Sequence, residues 1–222
     1  MLKVENVNVY ESKEKKFHIL KDINLNIREG EFLVILGKSG SGKSTLLNVL
    51  GGIEKPASGN VYFKNQEIYS SDRNTQKYIY QHVGFVFQNY NLIDNLNAYE
   101  NIEIALNVRK QKKGKKEVQR YFQLFEMEKN IDKFPFEMSG GEQQRVSIIR
   151  TILLEPDIIL CDEPTGALDS VSSKLVIKYL QDINKTMKKT IVMVTHDETY
   201  KEVADRIIYI KDGRIEREEL ND

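Results

Sequence analysis

Residues 32–44 read Phe32-Leu33-Val34-Ile35-Leu36-Gly37-Lys38-Ser39-Gly40-Ser41-Gly42-Lys43-Ser44, and the change of character within them decides the fold. Five consecutive apolar residues without alternation fit a strand covered on both faces. The next eight match G-x-x-x-x-G-K-[ST], and Ser44 to Leu50 reads on as a helix ended by Gly51-Gly52. Strand, glycine-rich turn and helix in that order build a cradle for phosphate. Glycines let the backbone curl so that successive N–H groups point inward, and the start of the helix adds its positive dipole end. Gly37, Lys38, Ser39, Gly40, Ser41, Gly42, Lys43, Ser44 and Thr45 are therefore the candidate phosphate-binding residues. Lys43 is expected to reach the β- and γ-phosphates and the Ser44 hydroxyl to ligate Mg²⁺.

Outward from this loop, a second apolar run, Ile158-Ile159-Leu160-Cys161, ends in Asp162-Glu163. Carboxylates at the end of a buried strand cost desolvation energy unless something offsets it. A metal ion and a water are the natural partners: Asp162 would hold Mg²⁺ through a water, and Glu163 would polarise the attacking water. General-base work of that kind is typically worth ~10²–10⁴ in rate. Further strand patterns fall at Leu2–Tyr10 (one or two short edge strands), 19–27, Val61–Phe63, Val83–Phe87, Ile191–Val194 and Ile207–Ile210. A helical pattern runs from Ser172 to Met187, and residues 89–155 are helical in texture. This rhythm predicts an α/β fold with a mainly parallel core sheet and an inserted helical subdomain. The expected organisation is a single domain, 1–222, with 1–88 and 156–222 as the core and 89–155 as the insert.

Lys plus Arg and Asp plus Glu number 33 each, so the formal net charge is zero and no nucleic-acid partner is expected. Cys161 is the single cysteine, which rules out an internal disulfide framework; a small buried hydrophobe is its expected role. No run approaches the ~18 apolar residues of a membrane span, and the N-terminus lacks a signal peptide's basic-then-apolar pattern. The chain is expected to be soluble and cytoplasmic, reaching a membrane only through a partner. Arg109 to Lys116 carries six cations. It reads as a solvated loop between helices, or alternatively as a contact for acidic lipid head groups or a partner's acidic surface.

Met138-Ser139-Gly140-Gly141-Glu142-Gln143-Gln144-Arg145 resembles the signature motif of the ATP-binding cassette (ABC) family, and the resemblance extends over essentially the whole chain. That family usually has Leu at the first position and often Gln at the fifth, where Met138 and Glu142 stand here. Ser139 and two glycines before a helix starting near Glu142 make a second anion site. The resemblance implies a P-loop NTPase with an N-terminal antiparallel β subdomain. It also implies a head-to-tail homodimer in which Ser139, Gly140, Gly141 and Glu142 of each subunit cap the ATP held by the other's loop. Gln88 resembles the glutamine that senses Mg²⁺ and γ-phosphate, Ala167-Leu168-Asp169 the loop that crosses the dimer interface, and His196 the switch histidine on γ-phosphate. Tyr10 is similar to the aromatic residue that stacks on adenine, with Phe17 as a rival; His18 and His82 receive no role.

Residues 87–102, with 46–52 and 55–59, look like the branch handling lipoprotein release, macrolide export and antimicrobial-peptide efflux. The resemblance thus implies an ATPase subunit peripheral on the inner face of the membrane, driving a transmembrane permease subunit. A membrane-bound ATPase with a regulatory or force-transmitting role is the alternative. Because few residues follow Asp212-Gly213-Arg214-Ile215, the regulatory domain of many sugar importers is not expected. Fifty residues lie between Gln88 and Ser139, with no heptad run or cysteine cluster, unlike the long inserts of DNA-repair relatives. Gln88 to Ile102 is expected to meet the permease through Tyr90, Leu92, Ile93 and Leu96, with packing inside the helical lobe as the alternative.

Overall fold

Two sheets organise the computed structural model, which describes residues 1–11 and 17–221. Strands β1 (Leu2–Tyr10), β2 (His18–Ile27), β4 (Ser58–Phe63) and β5 (Gln66–Glu67) form an antiparallel sheet in the order β2-β1-β4-β5. Strands β3 (Phe32–Leu36), β6 (Val83–Phe87), β7 (Ile158–Asp162), β8 (Thr190–Thr195), β9 (Arg206–Lys211) and β10 (Arg214–Leu220) form the second, ordered β10-β9-β3-β8-β7-β6. All its pairings are parallel except the β9–β10 hairpin. Leu2–Tyr10 is a single strand inside its sheet, a correction to the expected short edge strands. Asn6 lies in the left-handed region (φ 50°) and the register shifts between Val4 and Val7. That bulge lets Val4 and Val7 both be buried although three positions apart, which broke the alternation a sequence can display.

The unbroken apolar run of β3 is explained by its two neighbours. Phe32, Val34 and Leu36 enter one hydrophobic cluster, and Leu33 and Ile35 enter the other. The first cluster is completed by α3 (Ala98–Val108), α4 (Lys115–Leu124), α5 (Gly140–Leu153) and α6 (Ser170–Met187). The second is completed by α1 (Lys43–Leu50) and the inner face of the antiparallel sheet. Between the adjacent parallel strands β6 and β7 the chain passes through α3, α4 and α5. Asn97 and Glu100 form a capping box at the start of α3, as Ser139 and Glu142 do at α5.

Helix α2 (Asp72–His82) was not anticipated. Only Tyr78 of its eleven residues is buried, so no apolar stripe announces it. Strand β10 was missed for the same reason: its charged residues line a sheet edge and none is buried.

In the basic run Lys110, Lys112 and Lys116 are exposed, while Arg109, Lys113 and Lys115 are engaged. Arg109 donates to the carbonyls of Leu154 (3.3 Å), Ile79 (3.2 Å) and Val83. Lys113 bridges Glu117 (2.8 Å) and Glu155 (2.6 Å), and Lys115 lies over the Tyr99 ring. Cys161 is buried, and burial raises its thiol pKa. Among the described residues no helix is long and apolar enough to cross a membrane.

Candidate functional site

Parallel strands deliver whatever follows them to one edge of their sheet, and ligands of open α/β sheets bind at that edge. The registers Leu36↔Thr195 and Phe87↔Asp162↔Val194 align the ends of β3, β6, β7 and β8. Residues 37–45, Gln88, Asp162, Glu163 and His196, distant in sequence, thereby meet. Most of them line a cleft of about 940 Å³.

The loop after β3 has the shape its glycines permit. Gly40 and Gly42 have φ of 77° and 101°. A Cβ on Gly37 would collide with the Ile210 carbonyl and come within 2.6 Å of Ser41 Oγ. Lys43, only 7% exposed, donates to Gly37 O (2.8 Å) and Lys38 O (3.1 Å), bracing the loop from within. Gly42 is the N-cap of α1 and no side chain caps that end. The first-turn N–H groups of α1 are left to face an anion.

Ser44 Oγ donates to Asp162 Oδ1 at 3.0 Å. Burial pushes the Asp162 pKa up and the neighbouring Glu163 charge adds to that, with the Ser44 hydrogen bond and Lys43 opposing. A carboxylate so placed gains from a cation. Glu163 has φ 44°, a left-handed conformation costing of order 1 kcal/mol for a non-glycine residue. It is held by β8: the Glu163 N–H donates to Val194 O (3.0 Å), and Thr195 Oγ1 donates to Glu163 Oε2 (3.2 Å). His196 Nδ1 lies 3.0 and 3.1 Å from the two carboxylate oxygens. A Cβ on Gly166 would come within 3.0 Å of Gln88 Nε2, so the glycine makes room for that amide.

Ser139 caps α5, which starts at Gly140, two residues earlier than expected. Its hydroxyl and its N–H donate to Glu142 Oε2 at 2.8 and 2.7 Å, and Asn130 donates to Glu142 Oε1 at 2.7 Å. Burial opposes ionisation of Glu142, but these hydrogen bonds outweigh it and hold the carboxyl below its ordinary pKa. None of Ser139, Gly140, Gly141 and Glu142 lines the cleft. The Ser139 turn and the loop after β3 of one chain therefore face different surroundings.

Tyr10 stacks on His18, with ring centroids 4.3 Å apart, and does not line the cleft. Phe17, 69% exposed, does line it. Of the four apolar residues expected at the permease, Leu92 packs against the core and the Tyr90 hydroxyl lies against Gly140, while Ile93 is 46% exposed. Sequence reasoning missed Thr195, Asn130 and Asn101. Each acts through a hydrogen bond to a residue distant in the chain or to backbone, which no local pattern signals.

A family model described as "ABC transporter" matches residues 20–166. An uncharacterized ABC transporter ATP-binding protein of Methanocaldococcus jannaschii is 43% identical over 227 residues, covering 99% of this chain and 97% of that protein. The bacitracin export ATP-binding protein BceA of Halalkalibacterium halodurans is 42% identical over 212 residues, covering 93% and 83%. A putative ABC transporter ATP-binding protein of Mycoplasma genitalium is 43% identical over 217 residues; the chain spans 70% of its length, and 62% of the length of its Mycoplasma pneumoniae homolog. The structure described as a dimeric post-hydrolysis state of the ATP-binding cassette MJ0796 bound to ADP and Pi superposes with a TM-score of 0.88. It is 41% identical and covers 99% of this chain and 98% of that one.

Proposed function

Since the chain belongs to the ABC transporter family, we propose that it is the ATP-hydrolysing subunit of a membrane transporter and works as a head-to-tail homodimer. The observation that carries this reading is the separation of the two cradles. The cleft at the strand ends holds a phosphate loop and a strained glutamate, while the Ser139-Gly140-Gly141 turn opens elsewhere. A second copy supplies the missing cap for each cleft, and the dimer reported for the MJ0796 cassette supports that arrangement.

In this reading the loop N–H groups and Lys43 bind the phosphates of ATP, and Tyr10 or Phe17 supports the adenine. Ser44, Asp162 and Gln88 present oxygen donors at the same strand ends, a set that suits Mg²⁺, which keeps several waters and adds one or two carboxylates and substrate phosphates. A Mg²⁺ held by these residues would supply charge neutralisation for the transferring phosphoryl group. Glu163 orients and polarises the attacking water, and Thr195 and His196 fix its carboxylate. His196 and Gln88 also face the γ-phosphate. Two ATP molecules hold the dimer closed; hydrolysis breaks the bond to the γ-phosphoryl group, and its departure as phosphate removes the charge that bridged the subunits, so that the dimer opens. A transmembrane permease subunit receives this motion through the Ile93 surface and holds the ATPase at the inner face of the membrane. The likeness to BceA supports export of a peptide or drug.

The test is size-exclusion chromatography of Glu163→Gln with and without ATP. The amide keeps the backbone but cannot act as a base. Hydrolysis is expected to fall by about 10²-fold or more while an ATP-dependent dimer accumulates. Normal turnover in that variant sinks the role given to Glu163, and a persistent monomer in ATP sinks the shared site.

A further inference from the structure

We propose that Tyr90 and Arg150 are positioning residues that tie the turn after Gln88 to both ends of α5, so that each subunit's own Q-loop sets the geometry of the cap it offers to the partner's ATP. The inference rests on the head-to-tail reading above and adds to it a connection between the two sites. Tyr90 and Asn91 follow Gln88 closely and have φ of 60° and 49°, two successive left-handed residues with no glycine. L side chains adopt that backbone rarely and only where the surroundings impose it.

The surroundings here are α5. Arg150, in its last turn, donates to Asn91 O at 2.6 Å and to Tyr90 O at 2.9 Å, a forked grip on consecutive carbonyls. At the other end of the helix, a Cβ on Gly140 would come within 2.6 Å of the Tyr90 hydroxyl and 3.4 Å of Leu168 Cδ2. One short turn therefore clasps α5 near its C-terminus through a guanidinium and abuts its first residue through a phenol ring. That first residue follows Ser139, whose turn forms the cap. On the other side of the same turn, Gln88 packs against Gly166 beside Glu163. A displacement of Gln88 by nucleotide or by the permease is carried through Tyr90 to Gly140, because close-packed side chains pass on a shift instead of absorbing it. Arg150 keeps the turn and the helix moving as one body.

The experiment uses the full chain carrying Glu163→Gln, with sedimentation equilibrium in ATP for the dimer and fluorescence titration with a labelled ATP analogue for the monomer. Tyr90→Ala removes the ring. Arg150→Lys keeps the charge but loses the fork; a thermal melt in each case reports folding. Both variants are expected to weaken the dimer by about tenfold or more while changing monomer nucleotide affinity by less than about twofold. Tyr90→Phe, which keeps the ring but loses the hydroxyl beside Gly140, is expected to give a dimer constant between those of Tyr90→Ala and the parent. A dimer constant unchanged in Tyr90→Ala and Arg150→Lys overturns the link. So does an equal loss of nucleotide affinity in the monomer, since the turn would then merely support the cleft. If the parent Glu163→Gln protein itself stays monomeric in ATP, the shared site fails and the link falls with it, an outcome read separately from the variants.

Discussion

Replacing Asn101 with alanine is expected to free the run that carries the exposed Ile93, and the size of the effect follows from four hydrogen bonds. Asn101 is 1% exposed. Its Oδ1 accepts from Ile93 N–H at 2.7 Å, and its Nδ2 is placed against the carbonyls of Leu96 (2.9 Å), Ile93 (3.1 Å) and Asn97 (3.1 Å). Two N–H donors serve three carbonyls, so about two or three full hydrogen bonds are lost, each worth about 1 kcal/mol net. Removing the buried amide leaves a small void worth about 1 kcal/mol more. The total is about 3–4 kcal/mol, or roughly 6–16 °C in Tm for a chain of this size. Urea unfolding gives the free energy, and hydrogen exchange at the Ile93 amide reports whether the run has opened. Asn101→Asp keeps the acceptor but loses both donors and buries a charge, so it is expected to cost at least as much at neutral pH. A loss below about 1 kcal/mol in Asn101→Ala, or unchanged exchange at Ile93, refutes the anchoring role.

Asp162→Asn is expected to raise the thermal stability of the nucleotide-free protein at neutral pH while abolishing Mg²⁺-dependent hydrolysis. Burial raises the folded pKa of Asp162, so its ionised form penalises the fold above that pKa, and the penalty disappears as pH falls toward the unfolded value. The stability gain measured in thermal melts is therefore expected to shrink on acidification, and a gain that grows instead contradicts the assignment. Thr195→Val removes the hydroxyl that steadies Glu163; kcat is expected to drop roughly tenfold with ATP affinity unchanged. Equal losses in kcat and affinity would place Thr195 in binding.

The phosphate loop was legible because its chemistry demands residues in order along the chain. Gly37 has a carbonyl beside it, Gly40 and Gly42 need positive φ, and the flanking strand is buried on both faces. Asp162 and His196 were legible for a related reason, since an apolar strand points to the edge where it ends. What stayed hidden depends on partners far away in sequence. Arg150 grips carbonyls 59 and 60 positions earlier. Arg109 reads as one more cation in a basic run, yet it bolts α3 to the ends of α2 and α5. Helix α2 buries a single tyrosine, and the bulge at Asn6 hides the true period of β1.

The place of β3 in its sheet bears on how the protein is made. Its neighbours on either side are β8 and β9. The turn before it is latched late as well: Gly30 N–H donates to Thr190 Oγ1 across 160 positions, and Phe32 N–H to Asp205 Oδ2 across 173. Such non-local pairings form slowly and only after the intervening chain exists. A nascent polypeptide halted before residue 190 carries the whole Gly37–Ser44 run with nothing to lay its strand against. The loop after β3 therefore takes its final shape only once β8 and β9 have been synthesised, a temporal order that the topology of the sheet writes into translation.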